Sequence, residues 1–203
     1  MTQKIKSFLH TLFFKRSTAK ELIEADVKRW VQIHKPERSE RTIIENFVWL
    51  LETHPEYRNL FYFRLGRFTN FSSRVMLTLA KIIYKPVESF IFSEIAQIGP
   101  ALFAENGNVI LVGAEKIGKN CWLNPGVTIG YKTGREKTLP IIGDNVYIGS
   151  GARILGSITI GDNVMVGANA VVTRNVPSNC TVAGVPGRIV KRDGIRVNEP
   201  LPR

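Results

Sequence analysis

The chain has 203 residues, of which 44% are hydrophobic and 22% are charged, and its formal net charge at pH 7 is +11. This composition is ordinary for a soluble globular protein and excludes a chain made mainly of membrane spans or disordered sequence. The charge favours an anionic partner such as a cofactor or an acidic membrane face. Nucleic acid is not the expected partner, because the chain has no zinc finger, RNP-like aromatic motif or recognition helix.

The two cysteines, Cys121 and Cys180, lie in neither a Cys-x-x-Cys pair nor a histidine-rich context. They predict no zinc site and no redox pair, so we expect buried free thiols, with a reactive cysteine as the alternative. No window approaches the roughly 18 apolar residues of a membrane span, and no signal peptide is visible. Together with reduced thiols, these features predict a cytoplasmic protein.

Residues 2–16 place apolar side chains at helical spacing between lysines and arginines. The pattern predicts an amphipathic helix with a basic rim. Two interpretations stay open for this helix. It packs on its own domain or on a neighbouring subunit, or it makes a peripheral contact with an anionic membrane.

Helical spacing continues as far as residue 84, with starts marked by capping residues or proline. Thr18 with Glu21 predicts a capping box for a helix that Pro36 ends. Later helices are expected from Ser39, Pro55 and Arg74. Residues 1–95 therefore predict an α-helical N-terminal domain, in which the three histidines are surface or helix-end residues: His10, His34 and His54.

Within residues 98–182, aliphatic residues recur at every sixth position in two runs, one from Leu111 and one from Ile142. Members of this series are Leu111, Ile117, Leu123, Ile129, Ile142, Ile148, Ile154, Ile160, Val166 and Val172. A period of six fits neither a helix nor simple strand alternation, and it predicts a parallel β-helix of hexapeptide repeats with three short strands per coil. The wider gap between Ile129 and Ile142 places a polar loop, Tyr131–Leu139, outside the stack.

These patterns predict an α+β fold in three parts. The parts are the α-helical domain over 1–95, the β-helix over 96–187, and a basic C-terminal tail over 188–203. The tail contains two prolines and is expected to be mobile.

The hexapeptide run, its single loop and the ending AGVPGRIV at 183–190 resemble hexapeptide-repeat acyltransferases of the serine O-acetyltransferase-like group. The stretches PEYRNLFYFRLGRF and IIYKPVESF resemble the helical region before the β-helix in that group. The resemblance implies a left-handed β-helix, acetyl-CoA as co-substrate and no metal. It also implies a homotrimer with active sites between subunits, and the N-terminal helices would support any higher assembly.

Acetyl transfer to a hydroxyl needs a base, which in that group is a histidine at an inward position of the repeat. Counting back six residues from Leu111 places Glu105 there. Counting forward from Ile98 by the spacing of that group places Asn106 there instead, because the turn in this sequence is one residue shorter than the turn of the group. Three interpretations stay open: Glu105 is the base, Asn106 takes that place, or the site is inactive or repurposed. The first requires Glu105 to be shielded from water.

Further departures from the group affect its serine pocket. The resemblance places Ala104 at the group's aspartate, Thr138 at its arginine and Leu139 at its second histidine. L-Serine is therefore not the expected acceptor.

Donor binding is better preserved in the resemblance. Small residues would let the pantetheine arm approach the backbone at Ser150 and Ala168, one coil apart, and at Gly130 beside the loop. The alternative for these positions is that any solenoid corner prefers small residues. The adenosine phosphates would face the basic residues of the ending, each otherwise a solvated charge: Arg188, Lys191 and Arg192.

The sequence thus predicts a cytoplasmic acetyl-CoA-dependent O-acetyltransferase. Its acceptor would be the hydroxyl of a small molecule or sugar in surface polysaccharide synthesis. The alternative is a catalytically inactive homologue that acts as a trimeric binding or scaffold protein.

Overall fold

The structure is a computed structural model that describes residues 17–66, 78, 81–82, 84–85, 90–93, 95–105, 110–133 and 138–202. The chain divides into a helical unit, Met1–Val87, and a second unit, Glu88–Arg203. The second unit begins before the predicted boundary at 95, because Phe90–Phe92 already pairs with Ile110–Val112 as a strand of the β-helix. The helix predicted over 2–16 and most of the one predicted over 74–84 lie outside the described residues.

The described helices of the first unit are α1 Ser17–His34, a 3-10 helix Pro36–Glu40, α2 Ile43–Thr53 and α3 Pro55–Gly66. Helix α1 ends before Pro36, as predicted, but Thr18 lies within it. Within the described ranges, no helix is both long and apolar enough to cross a membrane.

The N-cap of α2 is Thr42, so the prediction of Ser39 was wrong. The Thr42 hydroxyl accepts a hydrogen bond from the Glu45 amide at 3.3 Å, and the Glu45 carboxylate accepts one from the Thr42 amide at 3.0 Å. This reciprocal capping box satisfies two amides that the helix leaves unpaired. Ser39 lies instead in the 3-10 helix.

An ion pair buried among the helices joins α1 to α3. Arg64 Nε lies 2.9 Å from Asp26 Oδ2, and one terminal nitrogen of Arg64 lies 3.1 Å from Asp26 Oδ1. The two side chains are 2% and 1% exposed. The same helices bury aliphatic and aromatic side chains, including Ile23, Val27, Trp30, Phe47, Leu50, Tyr57, Leu60 and Phe61.

The second unit is a β-helix whose parallel strands form three sheets, A, B and C. Sheet A contains β1 Phe90–Phe92, β4 Ile110–Val112, β7 Thr128–Gly130, β10 Arg153–Leu155 and β13 Val171–Val172. Sheet B contains β2 Gln97–Ile98, β5 Lys116–Ile117, β8 Ile141–Ile142 and β11 Thr159–Ile160. Sheet C contains β3 Phe103–Ala104, β6 Trp122–Leu123, β9 Tyr147–Ile148, β12 Met165–Val166, β14 Cys180–Ala183, β15 Arg188–Arg192 and β16 Ile195–Pro200.

The aliphatic residues of the repeat stack inside the coils from Ile117 onwards. Ile129 pairs with Ile154, and Ile154 pairs with Val172, in adjacent strands of sheet A. The members from Ile142 to Val172 are all fully buried. The hexapeptide β-helix predicted from the sequence is therefore confirmed.

The predicted position of Leu111 in this series was wrong. Val112 pairs with Ile129 and is buried, whereas Leu111 pairs with Thr128. Ile98 pairs with Ile117, so this first coil has 19 residues where a regular coil has 18. The turn after Ala104 is therefore not one residue short.

The corner between sheets B and C is held by a row of asparagines with left-handed backbone. Asn120, Asn145, Asn163 and Asn179 have φ between 55° and 59°. Each donates a side-chain hydrogen bond to the next at 2.9–3.0 Å. Asparagine tolerates this backbone conformation better than most residues, so the row both allows and links the turns.

Gly143 lies in the same corner, where neighbouring coils approach closely. A Cβ at this position would lie 2.8 Å from the Gly161 carbonyl carbon and 2.9 Å from the Asp162 amide nitrogen. We expect Gly143→Ala to destabilise the protein by about 1–3 kcal/mol, because backbone must move to admit the methyl group. Chemical unfolding followed by circular dichroism measures the change. Gly130→Ala is the control, since its Cβ would meet nothing within 4 Å, and equal losses in both variants would contradict the prediction.

The C-terminal segment is ordered, and the prediction of a mobile tail was wrong. β15 pairs antiparallel with β14, and β16 pairs antiparallel with β15. The turn between β15 and β16 is Asp193-Gly194, with φ of 50° and 81°. Positive φ at both central residues is the requirement of a tight type I′ hairpin, and Asp-Gly is a strong signal for it.

Candidate functional site

The candidate site follows the corner between sheets C and A, which we call the C–A corner. It comprises the segments that follow the strands of sheet C: Glu105, 124–127, 149–152, 167–170 and 184–187. Backbone hydrogen bonds stack these segments, for example from the Glu105 amide to Leu123 O at 2.9 Å and from the Asn169 amide to Ser150 O at 2.8 Å. Adjacent coils lie about 4.8 Å apart. The fold therefore brings Glu105, Ser150 and Ala168 onto one edge.

Glu105 lies at the outer edge of this corner. Ala104, not Glu105, is the inward residue, because it pairs with Leu123 and is buried. The prediction that Glu105 has an aliphatic, inward phase was therefore wrong, and the cause is the misplaced Leu111. Glu105 is half-buried. Asn106 lies outside the described residues.

Trp122 holds the Glu105 carboxylate. Its indole Nε1 donates a hydrogen bond to Glu105 Oε2 at 3.4 Å. The Trp122 ring lies between those of Phe103 and Tyr147 in the neighbouring coils, with centroid distances of 4.6 and 5.9 Å. The aromatic contacts fix the indole and thus the direction of its N–H group.

Asn124 is a polar residue of this corner that the sequence reasoning missed. It is 4% exposed, it follows Leu123 one coil from Glu105, and its side-chain nitrogen donates to Ile148 O at 2.7 Å. A signal was present, because the repeat places glycine after the aliphatic residue at Gly149 and Gly167. Asparagine breaks that pattern at the coil beside Glu105.

The small residues predicted for donor binding separate into two places. Ser150 and Ala168 are exposed and occupy equivalent points of the C–A corner. Gly130 is instead the last residue of β7, so it lies at the end of that strand away from the C–A corner. A Cβ at Gly130 would have no atom within 4 Å. Only Ser150 and Ala168 among the three share an edge with Glu105.

The basic residues of β15 are also separated. Arg188 begins β15 directly after the 184–187 turn and pairs with Ala183, so it lies at the C–A corner. Its guanidinium donates to Asn198 Oδ1 at 2.8 Å and to Asn198 O at 3.0 Å. Hydrogen bonding therefore holds Arg188 in place.

Lys191 and Arg192 lie at the opposite end of β15, where they pair with Thr181 and Cys180. Arg192 donates to Glu199 Oε2 at 2.6 Å. This hydrogen bond raises the pKa of Arg192, so its charge is present but is compensated by the carboxylate. Arg188 is thus the best placed of the three for an anion at the corner.

The loop between β7 and β8 contains Thr138 and Leu139, the two positions that the resemblance assigns to an arginine and a second histidine. Thr138 donates its hydroxyl hydrogen to Ser157 Oγ at 2.6 Å. Leu139 is 7% exposed and contributes to the packing. These two positions therefore supply neither a cation nor an imidazole.

The cysteines are buried and free, as predicted. Burial raises the pKa of the Cys121 thiol to about 11. A thiol with this pKa is protonated near neutral pH and is a poor nucleophile.

Comparison with known proteins agrees with this geometry. Residues 140–174 match the family described as bacterial transferase hexapeptide (six repeats). The serine acetyltransferase of Staphylococcus xylosus is 43% identical over 127 residues, which are 60% of this chain and 58% of that protein. The one from Synechococcus elongatus is 44% identical over 109 residues, which are 52% of this chain and 44% of that protein.

Solved structures extend the likeness to the helical region. The Neisseria gonorrhoeae serine acetyltransferase is 27% identical, with a TM-score of 0.64 over 91% of this chain and 70% of that one. A serine acetyltransferase in complex with CoA is 25% identical, with a TM-score of 0.62 over 90% of this chain and 74% of that one. The chain is therefore similar to serine acetyltransferases, and it contains the hexapeptide repeat.

This hexapeptide-repeat protein spans only part of its curated relatives, between 44% and 58% of the length of the two named above. The family match at 140–174 includes two segments of the C–A corner, 149–152 and 167–170. The similarity therefore includes part of the scaffold of the candidate site.

Proposed function

We propose that this protein is an acetyl-CoA-dependent O-acetyltransferase that acts on the hydroxyl of a small molecule or sugar. The observation that carries the proposal is the order of residues along the C–A corner. Glu105 lies at one end, Ser150 and Ala168 follow two and three coils further on, and Arg188 lies at the other end. A carboxylate, a row of small residues and a cation suit an acceptor hydroxyl, a pantetheine arm and the phosphates of CoA in that order.

The proposed assembly is that of the group. The β-helix is left-handed, the protein is a homotrimer, and the site is completed by an adjacent subunit. Higher assembly would use the N-terminal helices. We place the protein in the cytoplasm, with residues 2–16 available for peripheral contact with an anionic membrane.

The proposed reaction uses Glu105 as general base. Its carboxylate takes the proton of the acceptor hydroxyl as the oxygen attacks the thioester carbonyl carbon. The carbon–sulfur bond then breaks, and the proton passes from Glu105 to the leaving thiolate, which restores the carboxylate and releases CoA. The Trp122 hydrogen bond orients the carboxylate for this transfer.

The acceptor is proposed to be a neutral hydroxyl compound of surface polysaccharide synthesis. An amino acid acceptor needs a cation for its carboxylate, and Thr138 and Leu139 provide none. The relatives are named serine acetyltransferases, so L-serine is the comparison acceptor in any test.

Thiol release from acetyl-CoA, measured with sugars and with L-serine as acceptors, tests the proposal. We expect release with a sugar and none above background with L-serine. Serine-dependent release would support the acetyltransferase activity but would contradict the proposed sugar acceptor. No release with any acceptor, together with no CoA binding by calorimetry, would support the inactive scaffold protein instead.

A bulky side chain at Ala168 is expected to obstruct the pantetheine arm. Ala168→Phe should raise KM for acetyl-CoA about tenfold or more with little change in kcat, because it removes binding that is equal in the ground and transition states. Thr159→Phe is the control, since Thr159 is equally exposed but lies on sheet B. Equal KM values in both variants would exclude donor binding along the C–A corner.

A further inference from the structure

Three side chains with metal-binding chemistry meet at the ends of the helices of the first unit. His34 is the last residue of α1, His54 is the C-cap of α2, and Glu56 lies in the first turn of α3. One ligand atom from each of the three lies within 4.8 Å of the others. None of these residues belongs to the β-helix, and the proposed acetyl transfer uses none of them.

Glu56 is the unusual member of the cluster. It is 2% exposed, and neither carboxylate oxygen receives a hydrogen bond from another residue in the described part of the chain. The buried Asp26, in contrast, is fully engaged by Arg64. A buried carboxyl group without a partner costs free energy, and a bound cation is one of the few partners that removes this cost. Burial accordingly raises the pKa of Glu56.

One ring nitrogen of His54 already has a hydrogen-bond partner. The Thr53 hydroxyl donates its hydrogen to Trp49 O at 2.7 Å, so its oxygen is available to accept the Nδ1 hydrogen of His54, also at 2.7 Å. That tautomer leaves the lone pair on Nε2. Metal-binding histidines usually have such a second partner, which fixes the ring.

The two histidines of the cluster lie beside each other. The rings of His34 and His54 lie 4.3 Å apart between centroids, and His34 is exposed, which leaves the cluster open to solvent.

We propose that His34, His54 and Glu56 bind one divalent transition metal ion of the zinc class. Two imidazole nitrogens and one carboxylate suit Zn²⁺, Co²⁺ or Ni²⁺, whereas Mg²⁺ and Ca²⁺ prefer oxygen ligands throughout. Ligand atoms about 2.1 Å from a common Zn²⁺ lie about 3.4 Å apart. Binding would therefore draw the three side chains together, with water at the open side. The ion would have a structural role, because it would link the ends of three helices, and it would take no part in acetyl transfer.

Two tryptophans make the cluster observable by fluorescence. The Trp30 ring lies 5.7 Å from His34, and the Trp49 ring lies 4.7 Å from His54, between centroids. The full chain, purified without a histidine tag and treated with chelator, is titrated with Co²⁺ while tryptophan quenching and visible absorption are recorded. We expect saturation at one equivalent per chain and reversal of both signals by Zn²⁺. Zn²⁺ at about 100 times its Kd should raise Tm by about 5 °C or more.

Matched variants identify the ligands. Glu56→Gln and His54→Gln should each weaken Co²⁺ binding at least tenfold and abolish the Tm rise. Glu40→Gln is the control, since Glu40 is an exposed carboxylate of the same unit, and it should leave both values unchanged. Glu56→Gln preserves the side-chain shape and removes a buried acid, so its Tm without metal should not fall.

Two results would overturn the proposal. The first is the absence of saturable Co²⁺ and Zn²⁺ binding by the wild-type chain. The second is unchanged affinity in folded Glu56→Gln and His54→Gln variants, which would place any bound ion elsewhere. Neither result bears on thiol release from acetyl-CoA, so failure here is distinguishable from failure of the proposed function.

Discussion

Replacement of Asp26 by alanine is expected to destabilise the helical unit by about 3–5 kcal/mol, the largest stability loss that we predict. The variant leaves the Arg64 guanidinium, 2% exposed, without its carboxylate partner. A buried charge without a counter-charge costs far more than the loss of an exposed ion pair. Urea unfolding followed by tryptophan fluorescence measures the effect, because Trp30 and Trp49 both report on this unit.

Glu199→Gln is the matched control for the Asp26 variant. Glu199 pairs with Arg192 at 2.6 Å, but both side chains are more than one-third exposed. This pair should contribute about 1 kcal/mol or less. The double variant Asp26→Leu with Arg64→Met removes both buried charges, and it should recover most of the lost stability. A loss in Asp26→Ala no greater than that in Glu199→Gln would show that the buried pair is not held as described.

The sequence could not have revealed this ion pair. Asp26 and Arg64 are 38 residues apart, and no periodicity relates a charge on one helix to a charge on another. The same holds for the cluster of His34, His54 and Glu56, whose members meet because three helix ends converge. The sequence predicted that the two histidines are surface or helix-end residues, but no pattern in it relates Glu56 to them.

The β-helix was predictable because its pattern repeats over many coils. Every inward residue contacts its equivalent one coil away, so selection for apolar side chains recurs at the same interval. A change in the length of one coil occurs only once, so no repeated pattern in the sequence reveals it. Leu111 and Val112 are adjacent residues of the same chemical type, and only backbone pairing distinguishes them. Because Leu111 was assigned to the inward series in place of Val112, Glu105 was predicted to point into the coil, whereas it lies at the outer edge.

The candidate site was predictable where it follows the repeat and not where it depends on local structure. Ser150 and Ala168 were placed correctly on one edge because one coil separates them. The partner of Glu105 at Trp122 was not predicted, since it depends on side-chain packing between coils. The separation of Arg188 from Arg192 follows from the hairpin at Asp193-Gly194, a signal that was present in the sequence but was not used.

Glu105→Gln is expected to lower kcat for acetyl transfer about 100-fold or more, with little change in KM for acetyl-CoA. The amide keeps the shape of the side chain and its ability to accept from Trp122 Nε1, but it cannot take the proton of the acceptor hydroxyl. A positioned general base contributes roughly 10²–10⁴-fold to such a reaction. Thiol release under saturating acetyl-CoA, with the sugar that supports turnover, gives the ratio of kcat values.

Two further variants are compared with Glu105→Gln: Glu115→Gln is its control, and Asn106→Ala tests the alternative residue. Glu115 is an exposed carboxylate of the same coil whose backbone amide bonds to Pro140 O, so its replacement should leave kcat unchanged. Full activity in Glu105→Gln with loss in Asn106→Ala would transfer the catalytic role to Asn106. Full activity in both would place the base outside this turn. Loss confined to Glu105→Gln would mean that a carboxylate at the edge of the coil, oriented by Trp122, is the general base.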